Sequence, residues 1–541
     1  MSAASLPGLV ARGLAAVLAD GRRLYRNADL DLPAGVSALV GRNGIGKSTL
    51  LRQLAGRVAP AAGEVLRAGR IHLLKQDAAA RAGGRVADVL GVGDALDALA
   101  RLEAGSGTPE DLACLDDRWD LRLRVAGALD AAGLGHLDPA QAVAALSGGE
   151  RQGLCLLAAL RSDADVLLLD EPTNHLDAAA SARWYALFAA RPGACLVATH
   201  DPAWLRRLDR VHELTPEGIV RSDGGLEGWR AQRSARLAAQ ADALEAAHRA
   251  RAQARREVAR ERERLDRRRA RGDRAGRESN QARILLDASR DAAERSQSKA
   301  RSALSETLAA ADAGVREAFA MSEPLAAPSF VDAPVALPDA ARVLSLEAVH
   351  PIASHPSRAL TLHLGGPVRV GLEGPNGSGK SSLLRAIAGR GAVAAGRLHA
   401  HVPVRLLDQH LDHLPLDQHA LDWLQRESPG TSAAVLSNRL ALLGLPGPRA
   451  RLPVGVLSGG ERMRLAIAGA AWARPAAPFL LLDEPGNHLD LDSREALVAL
   501  LRAWPGALLV VSHDPALLDA LALDRRLRLD AARFEEAVAT A

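Results

Sequence analysis

Two segments of the chain, GRNGIGKST (Gly41 to Thr49) and GPNGSGKSS (Gly374 to Ser382), space glycines, a lysine and a hydroxyl as a phosphate-binding loop requires. Each follows an apolar run (VSALVG and VRVGLEG) and precedes a helical pattern. The loop's backbone N–H groups and the helix N-terminus can therefore wrap phosphate oxygens. Glycine is needed because the loop bends tightly and a Cβ would hold the phosphate off. The candidates are Gly41, Asn43, Gly44, Gly46, Lys47, Ser48 and Thr49, and again Gly374, Asn376, Gly377, Gly379, Lys380, Ser381 and Ser382. Lys47 and Lys380 are placed to reach β- and γ-phosphates, while Ser48 and Ser381 would bind Mg²⁺.

The lysines carry independent information. Of 68 Arg and Lys, only four are lysines: Lys47, Lys75, Lys299 and Lys380. Arginine serves almost everywhere else, yet both loops keep lysine. A compact ammonium on a flexible stem fits where a planar guanidinium does not. A loop that merely joined a strand to a helix would accept arginine.

Further along each half, the runs Val166 to Leu169 and Phe479 to Leu482 read as buried parallel strands ending in Asp then Glu. Asp170 and Asp483 would hold Mg²⁺ directly or through water, and Glu171 and Glu484 are suited to orient and deprotonate an attacking water. His200 and His513 each follow those glutamates by 29 residues, just past another apolar strand. The matched spacing favours a contact to the γ-phosphate over a structural role. LSGGE (Leu146 to Glu150 and Leu457 to Glu461) opens another helix, a second phosphate cradle built on Ser147, Gly148 and Gly149, and on Ser458, Gly459 and Gly460. One cassette needs only one cradle, so the extra one must serve a different nucleotide.

These motifs run in the same order twice, about 330 residues apart. The set resembles the ATP-binding cassette superfamily over nearly the whole chain outside its middle. That resemblance implies an α/β architecture of two P-loop NTPase domains that bind ATP and Mg²⁺, hydrolyse ATP and close face to face. Gln76 and Gln409 would join the nucleotide and metal sites. Lys47, Gln76, Glu171 and His200 would meet Ser458 to Gly460, and Lys380, Gln409, Glu484 and His513 would meet Ser147 to Gly149. The family's adenine-stacking aromatic has one candidate in the first half, Tyr25, which reads as part of the adjoining strand, and none in the second. The second copy also has Gly486 where the first has Thr173.

What must position these residues divides into three parts: a cassette over residues 1–228, a linker and connector over 229–340, and a second cassette over 341–541. Composition is that of an ordinary globular chain, with 48% hydrophobic and 24% charged residues. Cys114, Cys155 and Cys195 have no metal-ligand or disulfide spacing and suit a reducing compartment. No segment reaches the roughly 18 uncharged apolar residues a membrane span needs. The N-terminal apolar run is interrupted by Arg12 and lacks a preceding basic region, so it reads as a strand and turn, and the expected location is cytoplasmic.

Between Trp229 and about Ser305, Ala, Arg, Glu and Gln dominate and Pro is absent, which predicts long helices. RGDRAGRESNQ (Arg271 to Gln281) reads as the turn between two of them. Residues 230–301 hold about 21 Arg and Lys against 11 Asp and Glu, net +10, while the whole chain is only +4. One reading is a solvated charged hairpin that spaces two domains; a neutral spacer would not concentrate positive charge in this way, which favours a grip on nucleic-acid phosphate. Folded in two, such a hairpin would reach about 50 Å. Residues 323–340 are Pro/Ala-rich and read as a connector.

Two cassettes without a membrane domain, the wording EPTNHLD, the basic hairpin and SQSK (Ser296 to Lys299) together resemble the ABC-F family. The resemblance implies a monomeric, ribosome-associated factor whose linker, residues 229–305, approaches ribosomal RNA and transfer RNA, with ATP closing the cassettes and hydrolysis releasing them. The interval from Gln76 to Ser147 is 71 residues against 49 from Gln409 to Ser458, leaving room for a short arm. The chain ends soon after the second cassette, so no separate C-terminal nucleic-acid domain is expected. Competing readings are a transporter ATPase with a separate membrane partner, a DNA-maintenance ATPase with a long coiled coil, and a scaffold with inert cassettes.

Overall fold

The structure, a computed structural model, describes residues 8–18, 21, 23–75, 78, 83–173, 176, 178–278, 302–315, 330, 332–350, 359–374, 378–408, 411–487, 489–529 and 534–538. The chain divides into two compact units, residues 1–227 with 326–541, and residues 228–325.

The apolar runs that lead into the phosphate loops lie inside two six-stranded sheets. Gly35–Val40 sits between Ala194–Ala198 and Arg210–Thr215, parallel to both. Val166–Asp170 and Ile71–Leu74 extend the parallel order, and Gly218–Asp223 closes the other edge antiparallel. The second cassette repeats the plan around Arg369–Glu373, flanked by Ala507–Val511 and Arg525–Leu529, with Phe479–Asp483 and Val404–Leu407 beyond. Val166–Asp170 and Ala194–Ala198 are buried at every position. A strand covered on both faces needs apolar side chains throughout, which is why the sequence shows unbroken runs. Parallel strands also deliver their carboxyl ends to one edge. The loop after Val40, the carboxylates after Leu169 and the histidine after Thr199 therefore gather there.

Each cassette adds a three-stranded antiparallel sheet: Arg23–Leu32, Leu9–Val17 and Ala62–Arg67 in the first, Leu360–Gly365, Arg342–His350 and Ala395–Ala400 in the second. Leu9–Val17 is the central strand of its sheet, with Leu9, Ala11, Leu14 and Ala16 buried, so this N-terminal run is a core strand. Among the described residues no helix is long and apolar enough to cross a membrane.

The extra length in the first cassette is occupied by helices Gly93–Glu103 and Pro109–Leu115. Their inner face, including Leu99 and Leu115, joins the core of that cassette's helical layer, and an Arg101–Asp111 ion pair ties one to the other. Residues of the Pro/Ala-rich connector pack into the second cassette. Val335 is fully buried, worth about 2 kcal/mol of hydrophobic transfer. Phe330 lies 5.2 Å from the Trp504 ring and 5.9 Å from that of Trp472, centroid to centroid.

The helix Gly225–Glu278, of which all but the first three residues belong to the other unit, is 54 residues long, about 80 Å at 1.5 Å per residue. The reach inferred from the sequence, about 50 Å, is therefore corrected upward. The expected turn is corrected as well: Arg271 to Glu278 is helical, and its remaining residues lie outside the described residues. Gly272 and Gly276 stand singly among Arg, Asp, Ala and Glu; each costs a helix only about 1 kcal/mol, too little to end it. A second helix, residues 302–315, meets the first where Asp312 Oδ1 lies 2.6 Å from Arg251 Nε.

Candidate functional site

Both phosphate loops bend through glycines at positive φ, 107° at Gly46 and 95° at Gly379, directly before helices Lys47–Leu54 and Lys380–Ile387. Space adds its own demand at Gly46 and at Gly374, the first glycine of the second loop. A Cβ on Gly46 would sit 2.9 Å from Leu24 Cδ1, and one on Gly374 would sit 2.1 Å from the Leu529 carbonyl oxygen. Lys47 Nζ donates to the Gly41 carbonyl at 2.7 Å, and Lys380 Nζ to that of Gly374 at 2.7 Å. Burial lowers the pKa of both ammonium groups, and Glu171 and Glu484 pull them back. A desolvated cation held in this way gains strongly from an arriving phosphate.

The carboxylates stand at the ends of their strands. Asp170 is buried at the end of Val166–Asp170, and Asp483 ends Phe479–Asp483. Glu171 and Glu484 occupy the left-handed region, with φ of 49° and 50°. That conformation costs a residue with a Cβ about 1–2 kcal/mol, and the same cost at both equivalent positions suits a functional constraint. Each peptide N–H is anchored across the sheet, Glu171 to the Ala198 carbonyl and Glu484 to that of Val511, both at 2.9 Å. His200 Nε2 lies 3.5 Å from Glu171 Oε1, and His513 Nε2 lies 3.2 Å from Glu484 Oε1. Burial, reinforced by Lys47, holds His200 well below the ordinary imidazole range.

Each LSGGE serine and glutamate form a capping box. Ser147 Oγ accepts from Glu150 N at 3.3 Å while Glu150 Oε2 accepts from Ser147 N at 2.7 Å; Ser458 and Glu461 repeat this at 3.3 and 2.8 Å. The capping satisfies the serine's own amide and leaves the glycines that follow at the head of the helix. A Cβ on Gly460 would strike Ser493 Oγ at 2.4 Å.

One cleft of about 1490 Å³ is lined from both cassettes. It receives Gly44, Lys47, Ser48, Asp170, Glu171 and His200, together with Gly459 of the second cassette. It also receives Lys380, Ser381, Asp483, Glu484 and His513, together with Ser147, Gly148 and Gly149 of the first. The cassettes touch directly where Asn43 N donates to Asp490 Oδ2 at 2.7 Å. Asp490 Oδ1 accepts from Ser493 N at 2.7 Å, so this one carboxylate caps a helix of its own cassette and holds the other cassette's phosphate loop. Gln76, Asn376, Gly377 and Gln409 lie outside the described residues.

Tyr25 is not a surface for adenine. It is fully buried, and its hydroxyl donates to Gln53 Oε1 at 2.7 Å. Leu18 and Leu24 line the cleft instead. Sequence reasoning missed these two leucines, Asp490 and the cleft-lining Arg462. Only Asp490 had a visible signal, since it closes the GNHLD wording.

Burial pushes Glu171 and Glu484 up to about 7 from an ordinary 4.5, against the pull of Lys47 and of Lys380 with the His513 amide. If these glutamates are the bases, which act only when ionised, kcat/KM for ATP hydrolysis should rise up to about tenfold per pH unit below 7 and level off above it. Steady-state rates between about pH 5.5 and 9 check this, and a flat profile through 7 would count against these carboxylates as bases.

A family model described as "ABC transporter" matches residues 25–174 and 358–487. The tylosin resistance ATP-binding protein TlrC of Streptomyces fradiae is 33% identical, over 92% of this chain and 92% of that one. The energy-dependent translational throttle protein EttA of Mycobacterium tuberculosis is 29% identical, over 90% of this chain and 85% of that one. Among solved structures, the archaeal ribosome recycling factor aABCE1, in complex with the stalk protein aP1, superposes with a TM-score of 0.57 at 17% identity, over 95% of this chain and 87% of that one. That likeness concerns the fold alone.

Proposed function

This chain belongs to the ATP-binding cassette family, and within it to the ABC-F proteins, and on that premise we propose that it is an ATPase acting on the ribosome. The ATPase half follows from membership. The observation that carries the ribosomal half is the basic arm: a helix of about 80 Å, through a segment of net charge +10 that lies between the two cassettes in the sequence. Arginine fits phosphate bidentately and stacks on bases, and aromatics are too few, at 3%, for sequence-specific stacking. Translation in the printed name of EttA supports the same direction.

Within each site, Lys47 or Lys380 and the loop amides hold the β- and γ-phosphates, and Glu171 or Glu484 orients a water and takes its proton. His200 or His513 stands at the γ-phosphate. The LSGGE glycines of the opposite cassette complete each site, so ATP holds the cassettes together and cleavage releases them. The donor set fits Mg²⁺: a hydroxyl and a carboxylate from each cassette, Ser48 with Asp170 and Ser381 with Asp483, are the hard oxygens it prefers. Bound there, Mg²⁺ would neutralise charge developing on the transferred phosphoryl group.

Cosedimentation with purified ribosomes tests the proposal. Binding should be strong in ATP and weak in ADP. Binding to membrane vesicles alone would favour a transporter subunit. Tylosin resistance in the name of TlrC supports relief from an antibiotic as a second reading, checked by comparing drug tolerance with and without the chain.

A further inference from the structure

The two cassettes meet one structural demand with different residues, and the difference lies beside the two histidines. In the first, Ser181 Oγ donates to Asp201 Oδ2 at 2.8 Å and accepts from Trp204 Nε1 at 2.9 Å. Asp201 directly follows His200, and its other oxygen accepts from Ala203 N at 2.8 Å. The matching positions of the second cassette, 313 residues on, are Arg494, Asp514 and Leu517. There Arg494 forms an ion pair with Asp514, and its side chain is only 13% exposed. The other oxygen of Asp514 accepts from Ala516 N at 3.0 Å and Leu517 N at 3.2 Å.

Volume and donors change together in this swap. Trp204 is 1% exposed, fills its space and supplies an N–H; Leu517, fully buried, is smaller and donates nothing from its side chain. The guanidinium of Arg494 takes over the donor's part. Gly486, in the place of Thr173, packs against the same leucine. A Cβ on Gly486 would come within 3.1 Å of Leu517 Cδ2, tighter than ordinary van der Waals contact. Thr173 instead has room to place its hydroxyl 3.4 Å from that of Thr199. Three positions have therefore changed as a set.

We propose that Arg494 is a positioning residue for hydrolysis in the site of Glu484 and His513, with no cationic counterpart in the site of Glu171 and His200. Arg494 fixes Asp514 by charge, and Asp514 fixes the turn that carries His513. His513 in turn stands 3.2 Å from Glu484 Oε1, and its backbone N–H donates to Glu484 Oε2 at 3.3 Å. Loss of the cation loosens histidine and base together in that site. In the other site the neutral hydroxyl, locked between Asp201 and the Trp204 indole, does the holding. Both bonds end on a carboxylate, but only Arg494 brings a full positive charge to its partner, so the two sites rest on support of different kind. The inference rests on Glu171 and Glu484 being the two bases.

Single-turnover cleavage of bound ATP, quenched and resolved as ATP and ADP, tests it in the full chain. The E171Q chain reads only the second site. There R494A should slow cleavage about tenfold at unchanged ATP affinity, and R494K should restore most of the rate. The E484Q chain reads only the first site, and in it R494A should leave the rate unchanged, which also shows that the variant folds. Equal slowing in both chains, or none in either, would overturn the proposal. Absence of cleavage in both single Glu→Gln chains before any change at Arg494 would instead overturn the assignment of one base to each site.

Discussion

Glutamine at both 171 and 484 should cut ATP hydrolysis by about a thousandfold, within the range general bases supply, while leaving ATP binding intact. Glutamine matches glutamate in size and adopts the same backbone, but it cannot take a proton from water. The change also removes two carboxylates that, when ionised, repel the γ-phosphate and draw Lys47 and Lys380 toward themselves. Nucleotide affinity should therefore hold or rise as turnover falls. The cassettes, bridged by uncleaved ATP, should stay closed. Phosphate release and ATP retention on the same preparation measure both parts, and normal hydrolysis by the double variant would refute the assignment.

The second large effect is expected from the arm. Charge reversal at Arg267, Arg268, Arg269 and Arg271 turns four positive charges into four negative ones on a helix that continues past them to Glu278. If these arginines neutralise RNA phosphates, ribosome affinity should fall by about a hundredfold or more at low salt, and the slope of log affinity against log salt should flatten by about three. ATPase activity in the absence of ribosomes should not change. Unaltered affinity and slope would reduce the arm to a spacer between cassettes.

Functional residues are legible in the sequence where phosphate chemistry leaves little choice of side chain. Glycine at 46 and 379, lysine at 47 and 380, and the paired carboxylates after two buried strands each follow from sterics or charge, and each recurs in the second half. The contact between Asn43 and Asp490 spans 447 residues and has no local signature, because an aspartate that caps a helix looks the same whether or not its second oxygen crosses an interface. Leu18 and Leu24 were hidden for a related reason: an apolar side chain beside a cleft reads as core. Tyr25 erred the other way, since its hydroxyl finds a partner inside at Gln53. The arm's turn was misplaced because isolated glycines weaken a helix without ending it. Gly486 is visible as a departure, but its packing against Leu517, 31 residues away on another element, is not.

The arm and the cassettes together make one claim, that ATP-driven closure is spent on the ribosome. Capture of the Glu171→Gln, Glu484→Gln chain from cells, in ATP, followed by quantification of the RNA and protein that accompany it, tests that claim most directly. Ribosomal RNA and ribosomal proteins should copurify in amounts comparable with the chain and should be lost on exchange into ADP. Recovery of membrane proteins without ribosomal RNA, or of DNA, would contradict it.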